Sequence, residues 1–220
     1  MRTVKNRFVP WIGHLPSDWG ITRAGQHLTQ VKNKNTSLSE TNLLSLSYGK
    51  IKRRDINSSD GLLPESFEGY NIVEPGDIVL RFTDLQNDHT SYRVGRVTER
   101  GIITSAYTTV RPTDSNDSEY LYYALHAYDL RKGFYGMGSG VRQGLKWQEA
   151  KYIQLPWPPA DIRSSIVQYL DDTCTAIDCA LFAATGKVDV VIQSKQSIAD
   201  DLKAYKQSLI YEVVTGKREV

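Results

Sequence analysis

One stripe in the last quarter of the chain limits its folding options more than any other feature. Ile177, Leu181, Ala184, Val188, Val191, Lys195, Ile198, Leu202, Tyr205 and Leu209 follow one another at alternating spacings of four and three. All but Lys195 are apolar or aromatic, and Val213 continues the step. A stripe this narrow is a coiled-coil seam, which one helix cannot bury by itself. The chain therefore needs a helical partner, with Lys195 helping to set register or orientation at some cost in stability. An unbroken helix from Ile177 to Val213 would rise about 55 Å, on the order of one and a half duplex turns. Gly186 lies inside the stripe and costs roughly 1 kcal/mol relative to alanine, so it is the place where one helix could become two.

With 220 residues the chain can hold one well-buried domain plus an appendage. Its net charge is only +2, but residues 1–159 carry 20 Lys/Arg against 16 Asp/Glu, whereas 161–220 carry 7 against 9. A mildly basic front is compatible with an anionic ligand there. Cys174 and Cys179 are the only cysteines, five apart, so neither a disulfide framework nor a thiolate metal site is expected, as suits a reducing compartment. The N-terminus lacks the apolar core of a signal peptide, and no apolar run is long enough to span a bilayer. The expectation is a soluble, cytoplasmic protein without a membrane partner.

Short β-type runs dominate the front: Leu43–Ser47, Ile72–Val73, Asp77–Phe82, Arg93–Val97, Ile102–Val110 and Tyr152–Leu155. Glu74-Pro75-Gly76-Asp77 is a turn signal feeding Ile78-Val79-Leu80. Asp117 or Ser118 can cap a helix from Glu119 to about Leu130, and Pro156, Pro158 and Pro159 close the globular part. Asp161 is placed to cap a helix to about Asp172, and the seam helix then runs to about Val214, with Gly216 as its stop. The expected fold is α+β. A mixed or antiparallel β-rich domain spans 1–159, and a helical spacer and dimerisation region spans 160–220.

Little here supports catalysis. Phe134-Tyr135-Gly136-Met137-Gly138 has the F-x-G-x-G spacing of AdoMet-binding loops, but no buried strand precedes it and no long helix follows. The four histidines are isolated, and no phosphate-binding or nucleophile-elbow motif occurs. Neither a metal nor a cofactor is expected on this chain.

Nucleic-acid binding has more support. Lys50, Lys52, Arg53 and Arg54 put four cations in five residues just after a strand, where a loop could clamp phosphates. Such a run taken alone is a solvated surface more often than not. Arg142 and Gln143, between glycines and near Lys146, can both make bidentate contacts with base edges. Arg81, Gln86 and Asn87, with Asp84, form another polar set after a strand, and loop-stabilising hydrogen bonds explain it as well as base readout does. Three such polar loops on one domain are harder to dismiss than one.

These segments also carry a family resemblance. Leu43 to Lys50, Glu74 to Arg81, Thr83 to Asp88, Gly101 to Tyr107 and Arg142 to Leu145 resemble the target-recognition domain of type I restriction–modification specificity subunits. Trp11-Ile12-Gly13-His14-Leu15-Pro16-Ser17-Asp18-Trp19 resembles the usual opening of such a domain. Leu155-Pro156, Pro158-Pro159, Ile166 to Asp171, Ile177-Asp178, Ser208-Leu209-Ile210 and Val213 to Lys217 resemble the helical region that follows it. Two departures stand out. Ile162-Arg163 replaces the usual Glu-Gln after the prolines, and one recognition domain with one helical region is present where two of each are typical, so the chain resembles a half-subunit.

The resemblance implies a non-catalytic subunit that reads one half-site of a bipartite sequence in double-stranded DNA. It would dock a methyltransferase subunit, which holds the AdoMet, and through it a restriction subunit. A single seam beside a single recognition-like domain suggests a homodimer on a palindromic interrupted target. A free-standing coiled-coil DNA-binding regulator is the alternative.

Overall fold

The computed structural model describes residues 7–57, 64, 66–85, 90, 92–137, 144–185 and 192–218. The architecture is mixed α+β, with small antiparallel sheets followed by two long helices. The chain divides into two compact units, 22–155 on the one hand and 1–21 with 156–220 on the other.

Strands β1 (Phe8–Val9) and β2 (Gly13–His14) pair antiparallel, and β3 (Gly20–Arg23) leads into the single turn α1 (Ala24–His27). Then come β4 (Leu28–Val31), β5 (Leu44–Ser47), β6 (Lys50–Arg53), β7 (Asn71–Val73), β8 (Ile78–Leu80), β9 (Val94–Arg96), β10 (Gly101–Ile103) and β11 (Thr108–Pro112). Four of these form an antiparallel sheet in the order β4-β11-β8-β9. β7 pairs with β10, and β5 with β6.

The turn before β8 follows its sequence signal. Gly76 sits at φ +91, and the Asp77 amide donates to the Glu74 carbonyl at 3.0 Å. Beneath the strands, Leu44, Val73, Val79, Val97 and Ile103 form one apolar cluster, and Leu43, Ile72 and Ile102 another. The expected run Ile102–Val110 is two strands, because residues 104–107 turn the chain between β10 and β11.

Helix α2 (Ser118–Leu130) packs on β9 and β11 with Tyr120, Leu121, Ala124 and Leu125 buried. The expected cap is not made. Residues 115–117 form a 3-10 turn that Asp114 caps instead, accepting from the Asn116 amide, and the Ser118 hydroxyl donates to the Gly76 carbonyl at 2.7 Å. A second 3-10 turn at 133–136 follows, then the short α3 (Trp147–Ala150) and β12 (Gln154–Trp157), which pairs with β3.

In the other unit, α4 (Ala160–Thr185) is one continuous helix, so the expected stop near Asp172 does not occur. It begins at Ala160, which places Asp161 in the first turn, where a carboxylate suits the helix dipole, rather than at the cap. At the start of α4, the Arg163 guanidinium lies 4.1 Å from the Trp157 ring centroid and donates to the Pro158 carbonyl at 2.8 Å.

Helix α5 (Ile192–Val214) packs antiparallel on α4, with Lys206 Nζ 2.9 Å from Asp178 Oδ1. Tyr205 and Tyr169 hydroxyls raise the basicity of the Arg218 guanidinium. The single 55 Å rod is therefore a correction. The stripe is split between two helices that fold back on each other, each only about 35–40 Å long at 1.5 Å per residue.

Helix α5 ends as Gly216 suggests. Gly216 takes φ +70, its amide donates to the Val213 carbonyl, and the Lys217 amide donates to the Glu212 carbonyl, the two bonds of a Schellman cap. An added Cβ there would lie 2.6 Å from Pro16 Cγ, so the N-terminal strap closes over the end of α5.

Candidate nucleic-acid interface

The cationic run Lys50–Arg53 is strand β6 itself, not the loop after a strand. Its pairing with β5 matches Leu44 with Arg53, Ser45 with Lys52, Leu46 with Ile51 and Ser47 with Lys50. Side chains alternate across a strand, so Leu46 and Ile51 turn inward onto the apolar cluster while Lys50 and Lys52 share the outer face with Ser45 and Ser47. Arg53 lies on the inward-turning face and reaches Glu99: its Nε donates to both carboxylate oxygens at 2.8 and 2.7 Å. That hydrogen bond holds the Glu99 carboxyl below the usual carboxylate range. Arg54 is exposed, and its amide donates to the Leu43 carbonyl.

The two-residue loop joining β5 to β6 is Tyr48-Gly49, with φ +48 and +76. Left-handed values at both positions are the signature of a type I′ hairpin turn. A tyrosine there is uncommon, and its side chain is 75% exposed. Tyr48 was not among the candidate residues from sequence, and the hairpin went unread; the alternation on both sides of the Tyr-Gly pair is the signal that could have found it. Gly49 approaches Tyr92 so closely that a Cβ would lie 3.0 Å from the Tyr92 Cβ.

Tyr92 precedes Arg93, the largest fully buried side chain in the chain's described residues. Arg93 organises the ground beneath two candidate loops. Its Nη1 donates to the Arg81 and Thr83 carbonyls at 3.2 and 2.8 Å, and its Nη2 to the Asp84 carbonyl at 3.0 Å. Its Nε donates to the Tyr135 hydroxyl at 3.1 Å, and the guanidinium stands 4.9 Å from that ring's centroid. The Arg93 amide donates to Asp129 Oδ2 at 2.6 Å, tying the strand to α2.

Phe82 and Phe134 add an aromatic contact between the same segments, with centroids 5.3 Å apart. The chain returns to this place at Leu145, whose amide donates to the Phe82 carbonyl at 3.0 Å. The hairpin tip, the segment after β8 and Gly144–Lys146 thus converge around Tyr92 and Arg93. Arg81 is half-buried and Lys146 exposed at this convergence. Gln86, Asn87, Arg142 and Gln143 lie outside the described residues.

The F-x-G-x-G pattern has a packing explanation. It follows the end of α2, and its Phe134 is buried against Tyr128 and Phe82; Gly133, just before the pattern, is packed so that a Cβ would fall 2.4 Å from the Tyr128 ring.

Seam residues divide into three groups. Ile177 and Leu209 are buried, and Leu181 and Leu202 are half-buried, within the α4–α5 unit. Ile198 and Tyr205 remain 52% and 46% exposed. Val188 and Val191 lie outside the described residues, as do the side chains of Ala184 and Lys195. Among the described residues, no helix is long and apolar enough to cross a membrane.

No protein-family model matches the chain, and no curated protein matches it significantly. Solved structures do. A chain from a structure of the complex assembly and conformational transition of a type I restriction–modification system matches with a TM-score of 0.54 at 16% identity, over 98% of this chain and 50% of that one. The HsdS subunit from Thermoanaerobacter tengcongensis matches with 0.48 at 16% identity, over 94% and 47%, and the type I restriction–modification S subunit from M. genitalium with 0.48 at 13%, over 76% and 41%. The chain thus spans about half the length of the solved chains it matches, and it shares the fold of half of the first.

Proposed function

We propose that this chain is a DNA-specificity subunit of a type I restriction–modification system, reading one half-site and docking a methyltransferase subunit. The observation that carries this reading is the convergence of three polar segments around Arg93 on that shared fold. Direct readout needs side chains held in register with base edges, and phosphate contacts need exposed cations beside them. Arg81, Lys146 and the exposed Tyr48 supply the former kind of surface, and Lys50 and Lys52 the latter. The chemistry of methyl transfer, with its AdoMet, belongs to the partner, and a restriction subunit joins through that partner.

Two copies are joined through their helical hairpins in this reading, using the seam side chains Ile198 and Tyr205 that stay exposed. Two-fold pairing presents identical recognition domains, so the target is palindromic and interrupted. Co-expression with a methyltransferase subunit, followed by purification and competition between duplex sequences, tests the assignment. A stable complex that prefers one sequence is expected. Sequence-selective binding by the chain without any association with the methyltransferase subunit would favour a free-standing regulator instead. A monomer in sedimentation at micromolar concentration, with and without that subunit, would contradict the dimer.

A further inference from the structure

We propose that Arg93 is the positioning residue of the reading surface, setting the backbone from which base-contacting side chains project without touching DNA itself. This rests on the DNA-recognition reading above. Residues 81–85 follow β8 without forming regular structure, and few backbone bonds hold them. Three of their carbonyls instead accept from one guanidinium, at 3.2, 2.8 and 3.0 Å. The Arg81 amide donates back to the Arg93 carbonyl at 2.8 Å, closing a reciprocal link. Asp84 takes the left-handed φ of +58, and its carbonyl is one of those that Arg93 holds.

The fourth bond goes elsewhere. Arg93 Nε reaches the Tyr135 hydroxyl, on the 3-10 turn after α2, and the ring stacks on the guanidinium. One planar group thereby fixes the separation of two segments that are distant in sequence, Arg81 to Asp84 and Tyr135. Burying a charge to pack a core is unfavourable compared with an apolar side chain, so its retention here fits a demand for geometry. A lysine supplies charge and length but cannot address three carbonyls and a hydroxyl from one plane.

Selection from a randomised double-stranded DNA pool by the full chain in complex with its methyltransferase subunit, then by the complexes of Arg93→Lys and Tyr135→Phe, tests the proposal. Each protein's affinity for the wild-type-enriched duplex and for a scrambled duplex is measured at one salt concentration, together with its thermal unfolding. Both variants are expected to hold the scrambled duplex within about twofold, since exposed cations supply that term. Preference for the enriched duplex should fall by about tenfold, the scale of one bidentate base contact. A folded variant that keeps the wild-type preference overturns the proposal, because a merely structural role lowers the melting temperature and leaves the ratio unchanged. Tyr135→Phe removes only a hydroxyl and decides the matter alone if Arg93→Lys does not fold. A wild-type complex that enriches no sequence overturns the DNA-recognition reading itself, and the proposal with it.

Discussion

Arg53 and Arg93 stand one on β6 and one just before β9, in the same unit, and their guanidinium groups do opposite things. Arg53 is exposed and satisfied by a single carboxylate, Glu99. Arg93 is entirely buried and satisfied by three backbone carbonyls and a hydroxyl. An exposed charge acts at a distance and is screened by salt, so its partners can change. A buried guanidinium acts only through the geometry it enforces, and cannot be released without leaving those carbonyls unpaired. The surface cations of this unit are therefore adjustable, whereas the scaffold beneath them is not.

The sharpest way to break this contrast is Arg93→Ala. It should destabilise the chain by about 2–4 kcal/mol, because a fully buried side chain is lost and three part-buried carbonyls lose their donor. Urea unfolding would measure this, and a loss below about 1 kcal/mol would place Arg93 among ordinary surface arginines. Removing Lys50 and Lys52 together should leave unfolding unchanged and make the dependence of log affinity on log salt shallower by about 1.8, from two phosphate contacts at about 0.9 each. An unchanged salt slope would remove β6 from the interface.

The smallest expected effect is that of Glu99→Gln, which releases Arg53. The slope should steepen by up to about one contact. Protonating Glu99 should do the same. Its carboxyl is held below the ordinary range by Arg53, so the pair is intact above that range and is lost only as pH falls through the depressed value. Between pH 6 and 8, affinity should not change through this pair; a titration of affinity across that interval would contradict the assignment.

The same contrast explains what the sequence made legible. The strands beneath the core could be read because Ile78-Val79-Leu80 and the Pro-Gly turn before them have local causes. Helix α2 was equally plain, although its start was set by tertiary contact between Ser118 and Gly76 rather than by a cap. The Lys50–Arg53 run hid a strand, since its alternation of Lys, Ile, Lys is overshadowed by its charge. β3 and β4 went unread because Gly20–Arg23 and Leu28–Val31 contain few of the apolar alternations that mark a strand.

Arg93 had no signal at all. An arginine at a strand start reads as surface, and only the assembled fold brings three carbonyls to it. The seam misled for a related reason: spacing of four and three continues across Gly186, but periodicity cannot register a reversal of direction. The partner that the stripe demands is in large part another helix of the same chain. Among the described residues, the seam side chains it leaves exposed are Ile198 and Tyr205.

Methylation mapping of a genome after co-expression with a cognate methyltransferase subunit tests the central claim most directly, because it reports the recognition sequence and its symmetry together. Methylation is expected at one interrupted, palindromic sequence, with an Arg93→Lys chain methylating a relaxed set of related sites. Methylation that is absent, or indifferent to sequence, would contradict it.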